Sequence, residues 1–90
     1  MQSIEELSVL LSKMTQKDIN IFLHEILTDS EISDLSKRWR ILKLLDRNFT
    51  QRDVAKELGV SLCKVTRGAK ILKNSNAITK KMIKEIKDEY

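Results

Sequence analysis

The sequence predicts an all-helical fold, and three observations lead to this prediction. The chain has no proline, it has no alternating strand pattern longer than a few residues, and its apolar residues recur at helical spacing. The hydrophobic content is 41% with 4% aromatic residues, so we expect a mostly aliphatic core. Ninety residues allow one domain at most, 1–90, with about six short helices. Much apolar surface on short helices also suggests a homodimer with a shared core.

The first two helices are predicted over residues 3–14 and 16–27. Ser3 and Glu6 have the spacing of a capping box at the first of them. Each segment carries an apolar stripe that we expect to face inward. The stripe residues are Ile4, Leu7, Leu11, Met14, Ile19, Phe22, Leu23, Ile26 and Leu27.

A third, long helix is predicted from the run TDSE at residues 28–31 to about Arg47. This run has the residues of an N-cap and capping box. Leu35, Trp39 and Leu42 lie along one side of the helix. Because a single tryptophan on an apolar stripe is more often a core residue than a ligand contact, we expect Trp39 to pack inside.

Residues 50–73 are predicted to form a helix-turn-helix. Thr50 with Asp53 can cap the first helix, Gly59 can take the left-handed conformation that ends it, and Ser61 can cap the second. The residues of the second helix that we expect to pack inward are Leu62, Val65, Ala69 and Leu72. Those left outside are Cys63, Lys64, Thr66 and Lys70. The alternative interpretation is an ordinary helical hairpin of an all-α protein.

The sequence ends in a predicted turn, 74–76, and a last amphipathic helix, 77–89, with Ile78, Met82 and Ile86 inward.

The net charge of +4 is unevenly distributed: it is −5 over residues 1–35, then +4 over 36–49, +4 over 50–73 and +1 over 74–90. Positive charge therefore concentrates around the helix-turn-helix, as a phosphate-binding surface requires. For the C-terminal lysines a solvated face is the better interpretation.

Other function classes find little support in the sequence. The single cysteine, Cys63, cannot form an internal disulfide, which fits a reducing compartment. There is no signal-peptide pattern and no apolar stretch long enough to span a bilayer, so we expect a cytoplasmic protein without membrane contact. There is no catalytic constellation, no metal-ligand spacing and no phosphate loop, so we expect neither an enzyme nor a prosthetic group.

Three stretches of the chain resemble the tryptophan repressor family. They are ILTDSE at 26–31, RWRI at 38–41, and TQR at 50–52 together with VTRG at 65–68 and LK at 72–73. The resemblance covers about residues 18–73, and it implies an intertwined all-helical homodimer that represses transcription when a small ligand binds.

Carried over by position, the resemblance implies a ligand site between two arginines. Arg38 and Arg67 would sandwich an indole ring, to which planar guanidinium groups are suited. Arg67 and Thr28 would bind the ligand carboxylate, and Gly68 would leave space for the ring. Arg38 and Arg67 could instead contact phosphate or an acidic side chain.

The ligand ammonium would be held by backbone carbonyls near Glu25 and Leu27 of the other subunit. The family usually adds a serine, but this chain has Ile71 at that position, which cannot accept a hydrogen bond. The corepressor is therefore expected to be either L-tryptophan or a deaminated indole or aromatic acid.

The predicted partner is double-stranded DNA with a two-fold symmetric operator, because a symmetric dimer presents two equal second helices. The candidates for base contacts, direct or through water, are Arg52, Cys63, Lys64 and Thr66. The candidates for phosphate contacts are Lys56, Lys70 and Lys73. Two alternatives remain: a DNA-binding protein of the same fold without a ligand, and a protein-interaction module without a DNA role.

Overall fold

The computed structural model describes residues 2–74 and 76–86, and within these ranges it contains six helices and no strand. The helices are α1 (Ser3–Ser12), α2 (Gln16–Ile26), α3 (Asp29–Asp46), α4 (Gln51–Leu58), α5 (Leu62–Lys73) and α6 (Ile78–Ile86). The all-helical prediction is confirmed. Packing divides the chain into two units, 1–33 and 34–90, and α3 begins in the first and ends in the second. The single domain over 1–90 stays a prediction.

The starts of α2 and α3 follow the predicted cap chemistry. Thr15 Oγ1 accepts a hydrogen bond of 3.2 Å from the Asp18 N–H at the start of α2. At α3 the Thr28 N–H donates to Glu31 Oε1 over 2.9 Å, and the Glu31 N–H donates to Thr28 Oγ1 over 3.1 Å. This reciprocal pair is the predicted capping box.

The start of α1 differs from the prediction. Its N-cap is Gln2, which makes no side-chain cap hydrogen bond, and Ser3 already lies inside the helix. The predicted Ser3–Glu6 capping box is therefore wrong. The apolar stripe is also less covered than expected, because neither α1 nor α2 contains a buried residue. Ile4 exposes 74% of its surface and Ile26 exposes 51%.

In α3 the buried residue is Ile41, which did not belong to the predicted stripe. Leu35 is half exposed, and Trp39 and Leu42 are partly buried. The helix ends at a left-handed residue, Asn48, with φ of 70°. The Phe49 N–H donates to the Leu44 carbonyl over 3.2 Å, the long hydrogen bond of a Schellman motif. Asparagine is one of the few residues that adopts this conformation readily.

The helix-turn-helix forms as predicted. Thr50 Oγ1 accepts from the Asp53 N–H over 3.1 Å at the start of α4. Gly59 has φ of 63° and ends α4. Ser61 Oγ then accepts from the Lys64 N–H over 3.4 Å and caps α5. Each of these signals is local, because it depends on residues no more than three positions apart.

The core of the second unit joins α3 to the helix-turn-helix. Its buried members are Ile41, Val54, Leu58 and Val65. The partly buried residues around it are Leu44, Leu45, Ala55 and Val60. Val65 is buried as predicted, but Leu62 is 46% exposed. Leu62 occupies the first position of α5 and lines an open surface hollow instead.

The last helix packs on a different face from the predicted one. Ile83 is fully buried, whereas Ile78 is 66% exposed and Met82 is 42% exposed. Ile86, the third predicted residue, is partly buried. The face of α6 that packs on α5 is therefore centred nearer Ile83 than the predicted stripe was. Ser75 of the predicted turn and residues 87–89 of the predicted helix lie outside the described residues.

Candidate functional site

Helices α3 and α5 cross at Gly68, which is buried. A Cβ built on Gly68 would lie 2.9 Å from Cγ2 of Ile41 and 3.5 Å from Cδ2 of Leu42. The shorter distance is closer than Cβ atoms approach other heavy atoms in proteins. Gly68 was predicted to leave space for a ligand ring, and the structure gives it a further role at this crossing.

A hollow of about 350 Å³ lies beside the crossing, and we call it the α3–α5 pocket. Helix α3 contributes Arg38, Ile41 and Leu42, and helix α5 contributes Lys64, Arg67, Gly68 and Ile71. The structure thus brings together the four predicted ligand residues of its second unit, Arg38, Arg67, Gly68 and Ile71. The volume of the pocket lies within the range of small-molecule sites. The lining combines apolar side chains with cations and contains no carboxylate. Such a lining suits a planar aromatic anion.

Lys64 also lines this pocket, and its predicted contact with DNA stays a prediction. Lys64, Arg67 and Ile71 are spaced three and four positions apart, so they share one face of α5. That spacing is visible in the sequence. Only the position of α3 against this face identifies it as a pocket wall.

A second, more open hollow of about 520 Å³ lies on the neighbouring face of α5, and we call it the recognition groove. The lining residues are Leu62, Cys63, Thr66, Arg67 and Lys70. Three of the predicted DNA-contacting residues, Cys63, Thr66 and Lys70, therefore lie together on one exposed surface. The Cys63 thiol is free and exposed.

Thr66 also makes a contact that sequence reasoning missed. Its Oγ1 donates a hydrogen bond of 2.9 Å to Oε1 of Gln51, the first residue of α4. Both side chains are exposed, so this bond joins the two helices at their outer surface. The separation of fifteen positions leaves no sequence signal for such a pair.

The other predicted DNA-binding residues are exposed on the same two helices. Arg52 lies at the beginning of α4, Lys56 lies in its last turn, and Lys73 ends α5. Among the described residues, α5 has no acidic side chain in its first turn, and it has Lys70 and Lys73 in its last turn. With Lys64 as its third residue, the helix therefore carries a cation near each end.

Glu25, Leu27 and Thr28 lie at the junction of α2 and α3, in the first unit. Because Thr28 Oγ1 accepts the capping hydrogen bond from Glu31, its hydroxyl hydrogen can still donate to another group. α2 ends at Ile26, and the carbonyls of a last helical turn have no intrahelical N–H partner. The junction thus offers both a donor and acceptors.

The described residues include no helix that is both long and apolar enough to cross a membrane. The same part of the chain contains no group of three His, Cys, Asp or Glu side chains that could hold a metal ion.

Comparison with known proteins places these features in a family. The family model described as Trp repressor protein matches residues 2–87. A Trp operon repressor homolog of Xylella fastidiosa (strain 9a5c) is 46% identical over 77 residues, covering 83% of this chain and 84% of the relative. A Trp operon repressor homolog of Chlamydia trachomatis serovar L2 is 33% identical over 78 residues, covering 84% and 83%. No solved structure matches significantly. With a helix-turn-helix, an adjoining two-arginine pocket and a family match over nearly its whole length, this chain belongs to the Trp repressor family of DNA-binding transcriptional repressors.

Proposed function

We propose that this chain is a ligand-gated repressor that binds double-stranded DNA as a homodimer at a two-fold symmetric operator. The observation that carries the proposal is the arrangement of two neighbouring faces on α5. Lys64 and Ile71 face the α3–α5 pocket, Cys63 and Lys70 face the recognition groove, and Arg67 lines both. A ligand in the pocket would therefore press on the same helix that reads DNA.

The charges of the helix-turn-helix support the DNA role. Residues 50–73 carry six Lys or Arg and two acids. Arg52 and Lys56 on α4 and Lys70 and Lys73 on α5 are exposed and can reach phosphates. Phosphate contacts fix the register of the protein on the duplex, and Cys63, early in α5, would meet base edges in the major groove.

The exposed apolar side chains of α1 and α2 support the homodimer. Neither helix buries a residue within the chain, and Ile4, Val9, Leu10, Ile21 and Ile26 each expose more than two fifths of their surface. Apolar surface on this scale usually marks an interaction site. A second copy of the chain would cover it by a two-fold symmetric contact, and the operator would then share this symmetry.

The lining of the α3–α5 pocket supports an aromatic acid as the ligand, either L-tryptophan or a deaminated indole acid. Arg38 and Arg67 would stack on the ring, and Arg67 would also pair with the carboxylate. For L-tryptophan, carbonyls near Glu25 and Leu27 of the other subunit would accept from the ammonium.

The gate would act through the spacing between α3 and α5. A ring inserted beside Gly68 would act as a wedge between the two helices. Such a ligand shifts the population towards the orientation to which it binds more tightly. The favoured orientation would let both copies of α5 reach successive major grooves.

The test begins with in vitro selection of DNA by the purified full chain, followed by fluorescence anisotropy on the selected duplex. We expect a two-fold symmetric sequence, a steep loss of affinity with salt, and tighter binding when L-tryptophan, indole-3-propionate or indole-3-acetate is added. Calorimetry of each compound with the protein alone should give about one ligand per chain. Folded protein that selects no sequence would contradict the DNA role and favour a protein-interaction module.

The side chain of Ile71 supports a second candidate function, that of a DNA-binding protein of the same fold that takes no ligand. Its side chain lines the pocket and offers no acceptor to a ligand ammonium. In that case the selected duplex would bind equally well with and without all three compounds, and calorimetry would detect no ligand heat.

A further inference from the structure

The α3–α5 pocket carries more positive charge than a zwitterionic ligand needs. Arg38, Lys64 and Arg67 line it, and the lining residues include no carboxylate. A ligand ammonium would therefore be repelled by three cations without a compensating acid in the wall. Because Arg38, Lys64 and Arg67 are exposed, solvent weakens this repulsion without removing it, so an amino group would still lower the affinity.

Lys64 adds a different kind of contact from the two arginines. An arginine guanidinium is planar and stacks on a ring, whereas the lysine ammonium is a compact charge on a flexible stem. Lys64 lies one turn before Arg67 and Gly68 on the same face of α5. Its ammonium can therefore reach an acidic group on one edge of a ring that the arginines hold.

Ile71 closes the same face one turn after Arg67. Its side chain is apolar, so it favours contact with a ring and offers nothing to a hydrogen-bond donor. Ile41 and Leu42 of α3 add further apolar surface. The wall is thus divided into a cationic part and an apolar part.

We propose that the α3–α5 pocket takes a planar aromatic ligand that has no amino group and carries two negative charges, and that Lys64 is the residue that reads the second charge. A phosphate, a phosphonate or a second carboxylate would supply it. This inference rests on the proposed ligand-gated function and narrows the ligand class of that same pocket.

The test compares two probes that share ring and tether. Indole-3-propionate carries one carboxylate, and 2-(indol-3-yl)ethylphosphonate, at a pH above its second pKa, carries a phosphonate with two negative charges in its place. In calorimetry with the full chain, we expect the phosphonate to bind about tenfold more tightly than the propionate, the scale expected of one added charge-assisted hydrogen bond. L-tryptophan should bind more weakly than either.

The decisive variant is Lys64→Met, with Lys81→Met as its control. Lys81 is exposed on α6 and lines neither hollow. We expect Lys64→Met to remove most of the preference for phosphonate over propionate, while changing propionate affinity by less than about threefold. Lys81→Met should keep the preference. Lys64→Gln, which keeps a polar side chain but no charge, should behave like Lys64→Met.

Equal affinity of the two probes for the unaltered protein would overturn the inference, as would a preference that survives in Lys64→Met. Tighter binding of L-tryptophan than of both acids would overturn it as well. These outcomes leave the proposed function intact if the bound compound still raises affinity for the selected duplex. If none of the three compounds binds to folded protein that still binds DNA, both the inference and the ligand gate are wrong.

Discussion

Thr66 Oγ1 donates a hydrogen bond of 2.9 Å to Oε1 of Gln51, and this bond links the recognition helix α5 to the first residue of α4. The pair lies at the outer surface of the helix-turn-helix, on the side where α5 forms the recognition groove. Thr66 thus lines the recognition groove and also links the two helices by its hydrogen bond.

We expect Thr66→Val, which keeps the shape and removes the hydroxyl, to lower the free energy of unfolding by about 0.5–1.5 kcal/mol. Because both side chains are exposed, the lower end of this range is the better expectation. Urea denaturation at a fixed protein concentration measures it. The controls are Gln51→Ala and the double variant of both substitutions. If Thr66→Val lowers the free energy of unfolding by the same amount in the Gln51→Ala background, the hydrogen bond contributes nothing.

A second prediction concerns the crossing of α3 and α5. Replacing a glycine by alanine inside a helix normally stabilises the helix by about 1 kcal/mol. At Gly68 we expect the opposite, a net destabilisation of about 1–2 kcal/mol, because the new Cβ would meet Ile41 Cγ2 at 2.9 Å. Chemical denaturation of Gly68→Ala checks the sign.

The companion variant is Ile41→Leu, which removes the Cγ2 methyl and keeps the side-chain volume. Gly68→Ala should cost less in this background than in the unaltered chain. A stabilising Gly68→Ala in the unaltered chain would show that the two helices separate easily.

At Gly59 the physical cause is different. Its φ of 63° lies in the left-handed region, and a Cβ there would meet no atom within 4 Å. We expect Gly59→Ala to destabilise the protein by about 1–2 kcal/mol through backbone strain alone. Gly59→Asn should cost less, because asparagine tolerates this conformation, as Asn48 does at the end of α3. Thermal unfolding of both variants measures the difference; equal losses would point to a cause other than φ.

Arg38→Lys separates charge from shape in the α3–α5 pocket. The substitution keeps the cation and removes the planar group that would stack on a ring. We expect the Kd for indole-3-propionate to rise about 5- to 30-fold, which corresponds to a stacking contribution of about 1–2 kcal/mol. Calorimetry measures it, with Lys81→Met as the control. An unchanged Kd would mean that Arg38 acts only through its charge.

Lys70→Ala tests the assignment of phosphate contacts in the recognition groove. Removing one phosphate contact should lower the slope of log affinity against log salt by about 1 in magnitude and weaken binding to all duplexes alike. Fluorescence anisotropy at several salt concentrations measures the slope. Lys84→Ala on α6 is the matched control and should keep it. A loss confined to the selected sequence would instead indicate a base contact.

The features that the sequence predicted correctly depend on neighbouring residues. The capping box of Thr28 and Glu31, the cap at Thr50 and the left-handed Gly59 are settled within a few residues, so the helix boundaries around them follow. The family motifs likewise led to Arg38 and Arg67, which line one pocket.

What the sequence did not predict depends on how helices pack. Ile83 rather than Met82 is buried in α6, and Ile41 is the buried residue of α3, because the covered face is chosen by the neighbouring helix. Lys64 follows the same rule: its place in the pocket is set by α3, which is remote in sequence. The hydrogen bond between Thr66 and Gln51 also requires the two helices to be packed already.

Arg67 lines both the α3–α5 pocket and the recognition groove, and this limits how the protein can diverge or be re-engineered. Under the proposed function, a change at Arg67 would alter the response to the small molecule and the binding of the operator together, so neither trait could evolve alone through it. Of these two hollows, Lys64 and Ile71 line the pocket alone, and Cys63 and Lys70 line the groove alone. Under the proposed function, a biosensor built on this fold would therefore be retuned for a new effector at positions 64 and 71, and for a new promoter at position 63.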